Sequence, residues 1–369
     1  MPKKKIKVID LFAGAGGLGV GAHQAGAKVA ASVELDSVAC KTLRANSLFH
    51  GQVVEADVST LSAANLKKLA RIGEQDLVIV VGGPPCQPFS KAAYWTDDGA
   101  DAAYRRARAN GLAAEKPLSN LIAKEDARRD LVEEYWRVVR EINADGFVFE
   151  NVPSIKHPRN KPVYDALVSS AKRDGYFITE LVVRAVEHGV AQARERVVIL
   201  GSKVRSPDVP MVTHSADPSS GLLPIVTAGE ALSRFAGPEF FEPEEVVSGR
   251  WEKHLKEVPP GWNYKAHTAW AGHPSPTFVT ETRFWNFLLK LSEDRPSWTI
   301  AASPGPWTGP FHWSSRRLRT VELAALQGFP DGYVIAGGRR DRVKQMGNAV
   351  PVPVAKAVVA SVIASLEKS

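Results

Sequence analysis

The chain runs to 369 residues, 44% hydrophobic and 24% charged, the make-up of an ordinary globular protein with room for about two domains and one large core. Its two cysteines, Cys40 and Cys86, supply no disulfide framework and no cysteine-rich zinc site, and they fit a reducing, cytoplasmic compartment. The net charge of +7 suits a polyanionic partner without requiring one, and no apolar run reaches the roughly 18 residues of a membrane span.

The basic start, Lys3, Lys4, Lys5 and Lys7, imitates a targeting signal, but Asp10 interrupts the apolar stretch, so it reads as the solvated end of a first strand. From there short β-rich runs alternate with helical patterns. Strands are predicted at residues 7–12, 28–33, 52–56, 77–81, 146–149 and 196–201, with helices over 21–26 and 36–45. Leu131, Val132, Tyr135, Trp136, Val138, Val139 and Ile142 form a stripe at helical period, opposite Arg129, Glu133, Glu134, Arg137 and Arg140. This alternation predicts an α/β fold with a doubly wound, mostly parallel sheet.

Residues 90–130 break the pattern, carrying Tyr94, Trp95, Arg105, Arg106, Arg108 and Lys116 but few periodic apolar residues. A long connection of this kind is usually a functional lid or a disordered insert. After residue 203, Pro, Gly and Trp become frequent, and Trp251, Trp262, Trp270, Trp285, Trp298, Trp307 and Trp313 interleave with basic residues. A second, smaller, β-rich domain is expected over 204–335, with 1–203 and 336–369 forming the large domain. Most of the tryptophans are expected in the small domain's own core. The stretch Val352–Leu366, which contains Lys356, is expected as an amphipathic closing helix.

Three strand ends carry the chemistry. The first strand runs into Phe12, Ala13, Gly14, Ala15, Gly16, Gly17, Leu18 and Gly19, glycines that let a ligand lie on bare backbone near a helix start. Gly14, Gly16 and Gly19 also satisfy a dinucleotide pattern, so an NAD oxidoreductase is a rival. Glu34 and Asp36 end the second strand, where an acid holds ribose hydroxyls, and Asp57 after the third can reach an adenine amino group. For each acid the plainer reading is a solvated strand end, and Glu34 departs from it most.

Cys86 follows the fourth strand in Gly82, Gly83, Pro84, Pro85, Cys86, Gln87, Pro88. A lone cysteine is more often a small core residue. Prolines on both sides fix the backbone and remove donors, which argues for a presented nucleophile. Glu150 ends the fifth strand, where the plain alternative is an ion-paired carboxylate, and neighbouring strand ends share one crevice. Arg194 and Arg196, in Gln192 to Arg196, offer guanidinium groups to a phosphate or base oxygen, or else form a salt-bridged face.

Taken in order, the glycine loop Phe12 to Gly17, the Pro85–Cys86 loop, Glu150 to Val152, Gln192 to Arg196, Arg316 to Pro330 and Gln345 to Pro351 resemble the motifs of the cytosine-5 DNA methyltransferase family over nearly the whole chain. The resemblance implies an S-adenosylmethionine-dependent, Rossmann-like fold, with Cys86 as nucleophile, Glu150 holding the base and Arg194 and Arg196 supporting it. It places Phe12, Gly14, Gly16, Gly17, Glu34, Asp57 and Asn348 around S-adenosylmethionine, with no metal. The tRNA-methylating branch typically carries a further cysteine in a Cys-Phe-Thr motif, whereas Cys40 here precedes Lys41.

The chemistry suits these residue types independently. Carbon-5 of cytosine becomes nucleophilic once a thiolate adds at carbon-6, and a free thiol of pKa about 8.5 needs local help to ionise near neutrality. Glu150, protonated or sharing its proton, can hydrogen-bond ring nitrogen 3. The base that removes the carbon-5 proton stays open between a side chain and a water. The target must be flipped from the duplex, and residues 90–130 are placed to close over it. Residues 204–315 are the expected target-recognition region, with 277–283 an exposed strand for DNA contact and the Arg316 to Pro330 segment an organising helix beneath. The expected partner is double-stranded DNA, bound by a monomer in a bacterial or phage setting, with a companion restriction endonuclease possible.

Overall fold

A computed structural model of the chain describes residues 5–89, 126–278 and 285–367, together with 103, 104, 107, 112, 113 and 115. Seven strands form one sheet: β1 (Ile6–Leu11), β2 (Lys28–Glu34), β3 (Gln52–Glu55), β4 (Leu77–Gly82), β5 (Gly146–Asn151), β6 (Phe177–Arg184) and β7 (Glu195–Ser202), in the order β3-β2-β1-β4-β5-β7-β6. The first five are parallel, and β7 runs antiparallel to both β5 and β6. The doubly wound, mostly parallel expectation is met. Chain order reverses between β1 and β4, which opens a crevice at their carboxyl ends.

Alternation along the strands separates two apolar layers. Ile9, Val80, Phe147 and Phe149 face one side, where they meet α5 (Leu131–Ile142) and α6 (Lys161–Arg173). Val8, Ile79, Val81 and Val148 face the other, against α1 (Gly17–Gln24) and α11 (Val352–Leu366). The predicted stripe on α5 is the buried one: Val132, Tyr135, Trp136, Val138, Val139 and Ile142 are all in the core, each large apolar side chain contributing roughly 1.5–3 kcal/mol. The helix stops at Asn143, whose φ of 55° is left-handed.

Helix α11 is the expected amphipathic closing helix. Val352, Val354, Ala355, Val358, Val359, Val362 and Leu366 form its buried face and Lys356 is exposed. It packs closely on α1: a side chain at Gly21 would run into Ala355, so the two helices nearly touch. The segment Arg339–Leu366 contains a window apolar enough to cross a membrane, but 67% of it is buried inside the protein, as in a core helix.

The expectation of a β-rich region at 204–335 is not met among the described residues. Its strands are two-residue pieces: His214–Ser215 pairs with Leu223–Pro224, and Ser297–Trp298 pairs with Gln192–Ala193 beside β7. Short helices α7 (Ala228–Leu232), α8 (Glu252–Glu257) and α9 (Thr320–Ala325) and single turns make up the rest of its regular structure. Prolines deprive the chain of ladder donors, and an aromatic cluster of Trp251, Tyr264, Phe278 and Phe287 in edge-on or tilted contacts supplies the core. Trp251 and Trp307 pack on this cluster and Trp313 on the core next to it. Trp262, Trp270, Trp285 and Trp298 are exposed, so fewer tryptophans are core than expected. Phe278 belongs to the cluster and is not on an exposed strand, and residues 279–283 lie outside the described residues.

A third buried cluster joins this region to the sheet. Leu323, Leu326, Phe329 and Tyr333 pack with Ala15 and Val20 at the start of α1 and with Met346 and Val352.

Candidate active site

The crevice at the ends of β1 and β4 is a cavity of about 580 Å³, within the range of small-molecule sites. Phe12, Gly14, Gly17, Glu34, Asp57, Cys86, Glu150, Arg196 and Asn348 all line it. Gly16 and Arg194 do not, for reasons that the geometry supplies.

The loop after β1 turns through three left-handed residues, Phe12 (φ 56°), Gly14 (φ 55°) and Gly16 (φ 87°). Phe12 is the costly one, because a Cβ disfavours this conformation. Gly14 N–H donates to Glu34 Oε2 at 2.7 Å, while Glu34 Oε1 accepts from Leu35 N (2.8 Å) and Asp36 N (2.7 Å). Glu34 thus ties the glycine loop to the end of β2. Gly16 sits beneath the loop, where a side chain would collide with the His50 ring and the Tyr333 hydroxyl. Gly17 is pressed against the Val350 carbonyl, which leaves no room for a side chain.

Asp36 lines the cavity too and is more than a solvated strand end. It caps α2 (Ser37–Ala45) by accepting from Val38 N and Ala39 N, and Lys344 of α10 (Arg339–Asn348) pairs with it at 2.7 Å. The Lys344 hydrogen bond holds its carboxyl below the usual range. Lys344 also lines the cavity, a neighbour that no spacing along the chain foretold. Asp57 accepts from the Ser59 backbone and hydroxyl, capping a single turn at the cavity wall.

At the other end of the cavity, β4 delivers Gly83, Pro84, Pro85 and Cys86. A Cβ at Gly83 would lie 2.8 Å from Glu150 Oε2, so glycine here lets the carboxylate stand beside the cysteine loop. Buried Asn151 donates from Nδ2 to the Pro84 carbonyl at 3.1 Å. Past the cysteine, Arg129 donates to Asn160 Oδ1 (3.0 Å) and lies over the Phe89 ring, and Asn160 donates to the Ser154 carbonyl (2.8 Å). Asn151, Arg129 and Asn160 hold the Cys86 loop in place. The sequence reading missed all three, although Asn151 stands inside a motif it singled out.

Glu150 and Arg196 form a buried ion pair, Oε1 to Nε 2.8 Å, with side chains 10% and 13% exposed. Arg194 is deeper still: it donates from Nη2 to the Gly347 carbonyl at 3.0 Å, and among the described residues its Nε and Nη1 have no partner. Burial pushes its pKa down to about 9, Arg196 adding to the effect. Arg194 therefore stands behind the wall and fixes the backbone just before Asn348.

Burial also pushes the Cys86 thiol up, opposed by the two arginines and reinforced by Glu150. The local help expected for ionisation is present in Arg196 and Arg194, but desolvation outweighs it. Gln192 is buried, accepts from Ile300 N (3.2 Å) and donates to the Leu326 carbonyl (3.2 Å), so the same motif anchors the segment that leads out of the site.

A parallel sheet with one antiparallel strand, a glycine loop after β1 and a cysteine after β4 define a class of cofactor-dependent transferases. A DNA modification methyltransferase encoded within an Escherichia coli prophage shares the fold, with a TM-score of 0.64 and 22% identity over 99% of this chain and 100% of that one. The family model for C-5 cytosine-specific DNA methylase matches residues 6–108 and 119–364, and the chain belongs to that family; it is a DNA cytosine-5 methyltransferase. Type II methyltransferase M.SacI of Streptomyces achromogenes is 34% identical over 391 residues, spanning 98% of this chain and 94% of its own length. Type II methyltransferase M1.HphI of Haemophilus parahaemolyticus is 30% identical over 356 residues, 96% of this chain and 86% of its own length.

Proposed function

We propose that the protein methylates carbon-5 of a cytosine flipped out of a short, specific site in duplex DNA, through a transient bond between Cys86 Sγ and carbon-6. The observation that carries this reading is the single cavity wall shared by Cys86, Glu150 and Arg196 at one end and Phe12, Glu34 and Asn348 at the other. The family implies S-adenosylmethionine as methyl donor, and the cavity fits it. The open face of Gly14 bares backbone, Glu34 and Asp57 line the cavity and would accept from ribose and adenine polar groups, and Phe12 would offer an apolar wall. When bound, that molecule supplies an electrophilic methyl group.

Cys86 gives up its proton to solvent, adds through sulfur to carbon-6, and pushes the ring's electrons toward carbon-5. Glu150, held by Arg196 and carrying a proton in the complex, passes that proton to ring nitrogen 3 as the bond forms and becomes the carboxylate that Arg196 pairs with; nitrogen 3 gives the proton up again when Cys86 leaves. Carbon-5 then captures the methyl group, a base removes its proton, and the electron pair expels Cys86. Arg194 acts through the backbone and not by touching the base. Because the free thiol is held protonated by burial, base entry has to bring the ionising influence, which couples nucleophile activation to substrate binding. These steps draw on a thiolate, a carboxyl group and a guanidinium, and call for no metal.

Residues 204–335 are proposed as the target-recognition unit, with Trp262, Trp270, Trp285 and Trp298 among its exposed side chains. The protein is proposed to act as a monomer on DNA in a bacterial cytoplasm, with a restriction endonuclease as companion. Weak, steeply salt-dependent binding to any DNA should accompany tighter binding at one site. The deciding experiment offers the purified enzyme, with S-adenosylmethionine, an oligonucleotide carrying 5-fluorocytosine at its recognition site. A denaturant-resistant complex through Cys86, absent in Cys86→Ser, is expected, and its absence from the unsubstituted enzyme would refute the covalent route.

A further inference from the structure

Beneath the glycine loop lies a set of buried polar groups that the chemistry above does not use. Asp10, at the end of β1, is fully buried, and among the described residues neither carboxyl oxygen has a well-formed hydrogen bond, the Gly19 N–H acting on it more weakly. His50, from the short helix α3 (Ser47–His50), is also fully buried, and among the described residues its Nδ1 has no partner. Its other nitrogen is engaged: His50 Nε2 lies 2.7 Å from the Tyr333 hydroxyl, which lies 2.6 Å from the Ala15 carbonyl.

The proton positions follow from the acceptors. The Ala15 carbonyl can only accept, so Tyr333 donates to it, and Nε2 must carry a proton for Tyr333 to accept. In the neutral ring, the form that burial favours, Nδ1 is left as a bare lone pair in the interior, where an unmade hydrogen bond is costly. The space between the orphans is marked by Gly19 of α1: a Cβ there would stand 2.8 Å from His50 Nδ1 and 3.2 Å from Asp10 Oδ2. The two atoms are therefore no more than about 6 Å apart, a span one water can bridge.

We propose that Asp10 is kept as the un-ionised acid and donates its hydrogen bond to His50 Nδ1 through one bridging water, closing a relay from Asp10 through His50 and Tyr333 to the Ala15 carbonyl that clamps the cofactor loop from below. Asp10, His50 and Tyr333 are thus positioning residues for the methyl donor. Gly16 and Gly19 are glycines because the relay occupies the space their side chains would fill. Titration behaviour agrees: burial raises Asp10 to about 8, with the Gly19 N–H opposing and Glu34 adding to the rise, and burial lowers His50 to about 4, with His23 contributing. The other titratable groups that feel Asp10 are Tyr135 of α5 and Tyr333, both raised above their usual range chiefly by burial.

This inference rests on the donor occupying the cavity above the loop, and its test has an arm that does not. Infrared spectra of the ligand-free enzyme at pH 7 should show a protonated-carboxyl stretch that vanishes in Asp10→Asn. Absence of that band from the unsubstituted enzyme overturns the relay. S-adenosylmethionine affinity, measured by titration calorimetry, should fall several-fold as the pH passes about 8, and Asp10→Asn, which keeps a donor but cannot ionise, should flatten the profile. Parallel profiles for the two proteins overturn the role in positioning. Tyr333→Phe should raise the KM for the donor several-fold with kcat at saturation within twofold, whereas an equal loss in kcat would assign Tyr333 to the chemistry. A protein that shows the infrared band but binds no S-adenosylmethionine would refute the proposed function and leave the relay standing.

Discussion

The two ends of the cavity are built from opposite materials. At β1 the loop is made of glycines in left-handed backbone and rests on buried neutral groups, Asp10, His50 and Tyr333. At β4 it is made of prolines and rests on a buried charge pair, Glu150 with Arg196, with Arg194 behind. On the proposed function, the difference follows what each end would hold. A donor lying along the backbone would need bare N–H groups on a stiff floor, while a ring gaining charge during attack would need charges already oriented toward it. Loss of one member at the neutral end removes a hydrogen bond, whereas loss at the charged end leaves a buried charge unpaired.

Substitutions can break that contrast. The largest expected effect is Cys86→Ser, which should lower methyl transfer at least about 10⁴-fold while DNA retention in a gel-shift assay stays close to that of the parent. Substantial turnover would show that the proline end is not where bonds form. Arg196→Met should come next, removing about 3 kcal/mol of stability at pH 7 because Glu150 is left alone. In chemical denaturation Arg194→Met should lose clearly less, since Arg194 carries unpaired donors and already bears its own desolvation cost.

At the neutral end the sign reverses with pH. Asp10 has a folded pKa raised to about 8 from 3.8, so the folded chain holds a neutral acid where the unfolded chain holds a carboxylate. The stability it contributes is complete below pH 4 and is lost as the pH rises toward 8. Asp10→Asn should therefore match the parent in acid and exceed it by about 4 kcal/mol at pH 7 in thermal or urea melts. A constant difference across pH would show that Asp10 is already ionised in the native state. The smallest expected effect is Asp36→Ala: about 1 kcal/mol from the lost α2 cap, with the donor KM within twofold. A tenfold rise in KM would make Asp36 a ligand group and not a cap.

Much of this was legible along the chain. Strand positions follow from apolar runs between glycine turns, and parallel strands place their carboxyl ends side by side, so Cys86, Glu150 and the Phe12 loop were bound to converge. Residues 204–335 were harder to read. Their prolines and tryptophans were consistent with small strands, but an aromatic cluster can be assembled from turns, and no period distinguishes the two. The same limit applied to single residues inside recognised motifs. Gly16 and Gly14 look alike in the loop, yet one faces His50 and the other the cavity; Arg194 and Arg196 differ by two positions, yet only Arg196 reaches Glu150.

What the sequence determined by itself is the order of strands and turns, and with it the identity of the groups brought to one crevice, because hydrophobic period and glycine or proline punctuation act locally. What only the tertiary structure decided is which of those groups meet solvent, ligand or each other. Lys344 closing on Asp36, Asn151 holding the Pro84 carbonyl and His50 seated under Gly16 and Gly19 join segments distant in the chain. Such pairings depend on how whole layers dock, and on the cost of leaving a buried polar atom unpartnered, neither of which leaves a periodic mark on the sequence.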